Sequence, residues 1–117
     1  MTTRPDLSWL GRRCHVTVDR ALGSAHPRFP ELRYPVNYGY IEGTRAGDGL
    51  EIDAYILGVD EPIEAYTGLC IAVIHRKDDR EDKLVVARSP ICRRIICQET
   101  DFIERFFETE IFLWKNF

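Results

Sequence analysis

The sequence predicts a mainly-β domain, several short antiparallel strands curled into a small barrel with a C-terminal helix packed against it. Three observations predict this. Short runs rich in β-branched and aromatic residues recur between residues 15 and 87, separated by Gly, Pro and charged turns. Residues 78–82 form a charged turn between two apolar runs, as in a hairpin. After Ser89 the apolar spacing lengthens from alternation to that of a helix face.

Taken in order, residues 15–19 (HVTVD) read as a first strand, and residues 20–33, with Gly23, Pro27 and Pro30, as an irregular loop. In the segment from Tyr34, Asn37 and Gly39 suit a tight turn needing positive φ and close backbone approach. Residues 38–42 follow as a second strand. Residues 51–59 alternate Ile52, Ala54 and Ile56 against Asp53, Tyr55 and Leu57, a half-buried strand. Residues 68–76 (GLCIAVIHR) are the strongest core strand, and residues 83–87 return as its hairpin partner. Ser89 is a candidate N-cap with Pro90 at the first helical position. Ile91, Ile95, Phe102, Phe106 and Phe107 mark one apolar helical face. The segment reads as one long helix or as two broken near residues 98–101, with Asp101 and Glu104 as a capping pair.

At 117 residues the chain is expected to form one domain with a single core. A net charge of −3 leaves no basic excess to neutralise phosphates, which argues against nucleic-acid binding. No apolar run approaches the roughly 20 residues that span a bilayer. The first residues lack the apolar centre of a signal peptide, and the expected setting is cytoplasmic. Cys14, Cys70, Cys92 and Cys97 lack zinc-knuckle spacing and read as reduced thiols used as small hydrophobes.

The chemistry concentrates between Tyr34 and Asp53, and again at residues 78–83. Asp48, Glu51 and Asp53 form one acid group; Asp78, Asp79, Glu81 and Asp82 form another. Hard cations such as magnesium take oxygen ligands and share one or two carboxylates with a bound phosphate. Charged loops are more often solvated turns, and this bland reading suits the second group taken alone. Asp53, mid-strand among apolar neighbours, favours function. Tyr38 and Tyr40 share a strand face, where a phenol can donate to an anion, although strand tyrosines usually pack. Arg20, Arg28, Arg33, Lys77 and Lys83 are the nearby cations, and Lys83 opens a core strand directly after the acid turn. His26 and His75 have no local nucleophile suggesting a triad, and no glycine-rich phosphate loop is present.

The strings YPVNYGYI, GDGLEIDAYILGV and KDDREDKLVVA together resemble the soluble (family I) inorganic pyrophosphatases, over residues 15–107. The Tyr-Pro-x-Asn-Tyr-Gly-Tyr string is the most specific part. The resemblance implies a five-stranded OB-like barrel with helices, often assembled as a homohexamer. It implies magnesium-dependent hydrolysis of pyrophosphate to two phosphates in the cytoplasm. Asp48 and Asp53 match the first and last members of the family's metal-binding Asp triplet. Asp78 and Glu81 match the second group's metal ligands, with Asp79 and Asp82 as competitors because this loop is short. Tyr34, Tyr38 and Lys83 match phosphate contacts, so Asp53, Tyr38 and Lys83 form the implied catalytic set. Asp19 matches an early metal-linked acid.

Three departures bear on activity. The middle acid of the triplet, which in the family lies closest to the attacking water, falls on Leu50. The phosphate-gripping loop arginine falls near His26, with Arg28 as its substitute. The late Tyr-Lys contacts of longer members have no match before Phe117. Glu51 is the only nearby acid that could replace the missing base, yet on a regular strand it faces the opposite way. The alternative expectation is therefore a catalytically impaired relative that binds phosphate or a nucleotide, or a structural oligomer.

Overall fold

The structure, a computed structural model, describes residues 4–44, 51–79 and 81–115. A short 3-10 turn, Leu7–Trp9, leads into β1 (Arg13–Arg20), β2 (Asn37–Ile41), β3 (Ile52–Ile56), β4 (Ala65–Arg76) and β5 (Asp82–Ala87). Helix α1 (Arg93–Glu104) and β6 (Thr109–Leu113) complete the chain. The sheet runs β1-β2-β3-β5-β4-β6, and a further β1–β4 pairing closes the first five strands into a barrel.

The predicted hairpin is present, with β4 antiparallel to β5 and Ile74 opposite Lys83. The expectation of an all-antiparallel sheet needs one correction: β3 and β5 run parallel, with Ala54 opposite Leu84 and Ile56 opposite Val86. Parallel neighbours need a long crossover rather than a tight turn. Here that crossover is β4 itself, together with the loops on either side of it. No helix among the described residues is long and apolar enough to cross a membrane.

β3 is buried on both faces. Ile52, Ala54 and Ile56 join Val16, Cys70, Val73, Leu84 and Val86 in one apolar cluster. Tyr55 and Leu57 join Tyr34, Tyr38, Ile71, Ile74 and Val85 in a second, against which Ile96, Phe102 and Ile103 of α1 pack. Each fully buried side chain of this size contributes about 1.5–3 kcal/mol by leaving water.

Of the two forms expected for the tail, the structure takes the first: α1 is a single helix through residues 98–101. The tail departs from expectation in three other ways. The helix starts at Arg93, with Cys92 rather than Ser89 at the N-cap position. Asp101 and Glu104 do not cap; Asp101 pairs with Arg105 at 2.6 Å, and Glu104 turns inward. The helix stops before Phe106 and Phe107, and the chain returns as β6 along β4. Among the cysteines, Cys14 and Cys70 are buried as expected, and desolvation pushes the Cys70 thiol up to about 12. Cys92 and Cys97 are exposed and serve no core.

The Asn-Tyr-Gly segment is strand rather than a turn. Asn37 is fully buried, and its Oδ1 accepts from the backbone N–H of Leu22 (2.9 Å) and Ile63 (3.2 Å). Its Nδ2 donates to the carbonyl of Glu61 at 2.9 Å, so one amide fastens two loops to the strand. Gly39 meets the expected close approach without positive φ: a Cβ there would lie 1.9 Å from the carbonyl oxygen of Thr17. At this crossing β1 carries a bulge between Val18 and Arg20.

A buried polar bridge holds α1 to the sheet. Arg76 donates from Nε and Nη2 to the two Glu104 oxygens, at 2.9 and 2.6 Å, and the Tyr55 hydroxyl donates to the same carboxylate. Burial, then the Glu104 charge, pushes the Tyr55 phenol far up, so it remains a donor. The Arg76 guanidinium also lies 3.8 Å from the Phe107 ring centroid, fixing the turn after the helix.

Two stability changes are expected. Gly39→Ala should cost about 3 kcal/mol, since β1 and β2 cannot keep their spacing around a methyl group. Glu104→Gln should cost about 3 kcal/mol because it leaves a buried guanidinium undercompensated, whereas adding Arg76→Met should recover much of that loss. Urea unfolding measures both; losses below about 1 kcal/mol would contradict them.

Candidate functional site

The bulge in β1 has a direct consequence. It lets two consecutive residues, Asp19 and Arg20, line the same cavity, which a regular strand would send to opposite faces. The cavity holds about 790 Å³. Tyr38, Asp53 and Lys83 enter it from β2, β3 and β5, three neighbours in the sheet. Tyr34, Arg28 and His26 reach it from the loop between β1 and β2.

Asp53 is the junction. Its Oδ2 accepts from Lys83 Nζ at 2.6 Å and from the Tyr38 hydroxyl at 2.9 Å. Its Oδ1 takes no hydrogen bond among the described residues. The Lys83 side chain is 7% exposed against 34% for Asp53, so the ammonium is the more deeply placed partner. A buried ammonium is costly unless paired. Glu81 supplies the second partner at 2.9 Å and also lies 3.7 Å from Arg76. Burial and then the Asp53 charge raise the Tyr38 phenol well above its ordinary range, keeping it protonated as a donor. Asp19 is likewise raised, first by desolvation and further by Asp53, while Arg20 opposes the shift. The two carboxylates therefore sense each other across the cavity.

The residues expected at a site divide accordingly. Asp53, Tyr38, Lys83, Tyr34 and Arg28 all line one cavity, with Asp19 and Arg20 beside them. Arg20 Nη1 donates to the Tyr34 hydroxyl at 3.3 Å. Glu81 joins through Lys83. Asp78 is exposed and does not line the cavity, and the remaining acids of its turn are engaged: Asp79 with Arg76 at 3.2 Å, Asp82 with His75 at 2.7 Å. Asp48 and Leu50 lie outside the described residues. Glu51 is exposed and accepts from the Gly43 N–H at 3.1 Å, a turn contact. Arg33 donates to the Gly23 carbonyl and Lys77 faces Glu110, so neither belongs here.

Sequence reasoning assigned no site role to five residues that line the cavity. Arg76 lines the cavity while bound to Glu104, and only the fold reveals that pairing. His26 stacks on Tyr34 at 6.0 Å and accepts the Arg28 N–H at Nδ1, holding the loop that carries Arg28. Phe29, Phe106 and Phe107 line the rim.

Among the described residues no group of three or more His, Cys, Asp or Glu is placed to enclose a metal ion. The donors facing the cavity are nonetheless carboxylate oxygens, the chemistry of a hard cation that completes its shell with water and substrate phosphate. Chemically, the site places a carboxylate pair beside three cationic side chains, Lys83, Arg20 and Arg28, with the Tyr38 hydroxyl bound to Asp53.

Comparison with known proteins bears on the fold and the family. The chain resembles the inorganic pyrophosphatase of Ehrlichia chaffeensis at 16% identity and TM-score 0.72, covering 97% of this chain and 92% of that one. For the Neisseria gonorrhoeae enzyme the values are 21% and 0.65, over 91% and 79% of the two chains. For that of Helicobacter pylori they are 15% and 0.64, over 99% and 89%. These likenesses establish the OB-like barrel fold. No curated protein sequence matches the chain. The family model for inorganic pyrophosphatase matches residues 13–110, and the chain belongs to that family.

Proposed function

We propose that this chain hydrolyses inorganic pyrophosphate to two phosphates with the help of a divalent cation, magnesium being the expected ion. The observation that carries the reading is the Tyr38–Asp53–Lys83 junction at the floor of the cavity, in a chain of this family. Asp53 through Oδ1, with Asp19 beside it, would hold the cation, and Asp48 and Glu81 are further proposed ligands. Asp78, from the same reading, stands as a ligand only by resemblance. When bound, the ion neutralises phosphate charge and acidifies a water.

The chain's own groups have the remaining tasks. Lys83, Arg20 and Arg28 bring positive charge to a polyanion, and arginine can grip phosphate through two N–H groups at once. Tyr34, whose oxygen accepts from Arg20, can donate its phenol hydrogen, and Tyr38 would do so by turning its hydrogen from Asp53 to the phosphate. In the reaction a water oxygen bonds to one phosphorus while the bridging P–O bond breaks, its electron pair leaving on the second phosphate. Fixed donors at the developing charge supply much of such a rate enhancement. Cytoplasmic location and assembly as a homo-oligomer, on the six-fold pattern of the family, belong to the same proposal and rest on family resemblance.

A second reading is favoured by one observation, Leu50 at the position of the triplet's middle acid. There the site binds phosphate or a nucleotide, or keeps the barrel in an oligomer, with catalysis impaired.

Phosphate release from pyrophosphate, with magnesium varied, tests the first reading. Release above background is expected, falling by about 10²–10³ in Lys83→Gln and to background in Asp53→Asn. No release at high enzyme concentration would support the second reading instead. Leu50→Asp should raise the rate if the inherited arrangement survives; an unchanged zero in that variant would mean a wider loss.

A further inference from the structure

Pyrophosphate is small and wholly polar, whereas part of this cavity is lined by apolar side chains. Beyond the Asp53 floor the lining includes Phe29, Leu32, Ile103, Phe106 and Phe107, with His26 and one acid, Glu31, among them. At about 790 Å³ the cavity falls in the range of roughly 300–1,000 Å³ typical of sites for organic molecules. Among the described residues three large apolar side chains are well exposed: Leu7 at 41%, Phe29 at 55% and Phe106 at 71%. Two of these three meet at this one mouth, Phe29 from the loop after β1 and Phe106 from the turn after α1. Small-molecule sites combine apolar and aromatic walls with a few convergent polar groups, which suits a ligand with a polar end and an apolar end.

The aromatic side chains also form a continuous run inward. Phe29 lies 5.4 Å from His26, His26 stacks at 6.0 Å on Tyr34, and Tyr34 lies 5.7 Å from Tyr38, whose hydroxyl binds Asp53. Rim and floor are thus joined by successive ring contacts, and Arg20 is bound to Tyr34 between them.

We infer that the site accepts a nucleoside diphosphate, its diphosphate on the Asp53–Lys83 floor and its planar base against Phe29 and Phe106. The inference rests on the reading of the floor as a phosphoanhydride site. Water would attack the terminal phosphorus and the anhydride P–O bond would break. The electron pair would stay with the nucleoside monophosphate, and inorganic phosphate and a proton would be released. Bases stack on aromatic rings with little regard to identity, so purines and pyrimidines should both be accepted.

Calorimetric titration of the full chain with adenosine diphosphate, methyl diphosphate and pyrophosphate, each with magnesium, tests the inference. Methyl diphosphate has the same esterified diphosphate and no base. Adenosine diphosphate should bind at least tenfold more tightly, and Phe29→Ala or Phe106→Ala should bring the two affinities together. Both side chains are exposed, so neither substitution threatens the fold. Absent adenosine diphosphate binding, equal affinities, or a difference that neither substitution changes would overturn the inference. So would sedimentation showing that Phe106→Ala dissociates an oligomer, since a second copy would then cover the rim. Phosphate release separates the two proposals. Pyrophosphate cleavage without a base effect sinks this one alone. A base effect with phosphate released from adenosine diphosphate but not from pyrophosphate sinks the earlier one alone, and release from neither sinks both.

Discussion

The parallel pairing of β3 with β5 is the constraint on which both barrel and site depend. It joins the β1–β2–β3 meander to the β4–β5 hairpin and so completes the closed wall. Its register sets Ala54 opposite Leu84, which brings the preceding residues, Asp53 and Lys83, side by side at the end of the seam. Their 2.6 Å contact is therefore a product of strand register. A slip of one residue would turn each side chain to the other face and separate them.

Around this seam the chain satisfies two demands with the same residues. β3 must be apolar on both faces because the barrel interior lies on one side and α1 on the other. Its one carboxylate is tolerable only at the rim, where Lys83 and Tyr38 hold it. Where α1 covers the sheet, Arg76, Glu104 and Tyr55 form the buried polar contact that orients it. Such a pair adds little net stability, since desolvation offsets its attraction, but it penalises every other helix orientation. Through Phe107 the same guanidinium sets the turn that brings Phe106 to the cavity.

Much of this was legible in the sequence, for definite reasons. Strand periodicity exposed β1 to β5, and the charged turn exposed the β4–β5 hairpin, because both signals are local. Asp53 stood out as an acid mid-strand, and Lys83 as a cation opening a core strand. The parallel seam was not legible: strands 30 residues apart in register leave no local trace of their pairing. Nor was β6, whose Ile111-Phe112-Leu113 run is short and continues the apolar content of the helix. Glu104 read as a helix cap because its partner Arg76 lies 28 positions away. Asn37 and Gly39 read as turn formers, although the fold uses the first as a loop clamp and the second for close strand contact.

The central claim is that Tyr38 and Lys83 act on a bound phosphate as one unit through Asp53. A double-mutant cycle on inorganic phosphate affinity, with Tyr38→Phe, Lys83→Gln and both together, measures this directly. Groups sharing one partner couple by about 0.5–3 kcal/mol, so the double variant should bind phosphate measurably differently from the sum of the single losses. Strictly additive losses would show two independent contacts and contradict the claim.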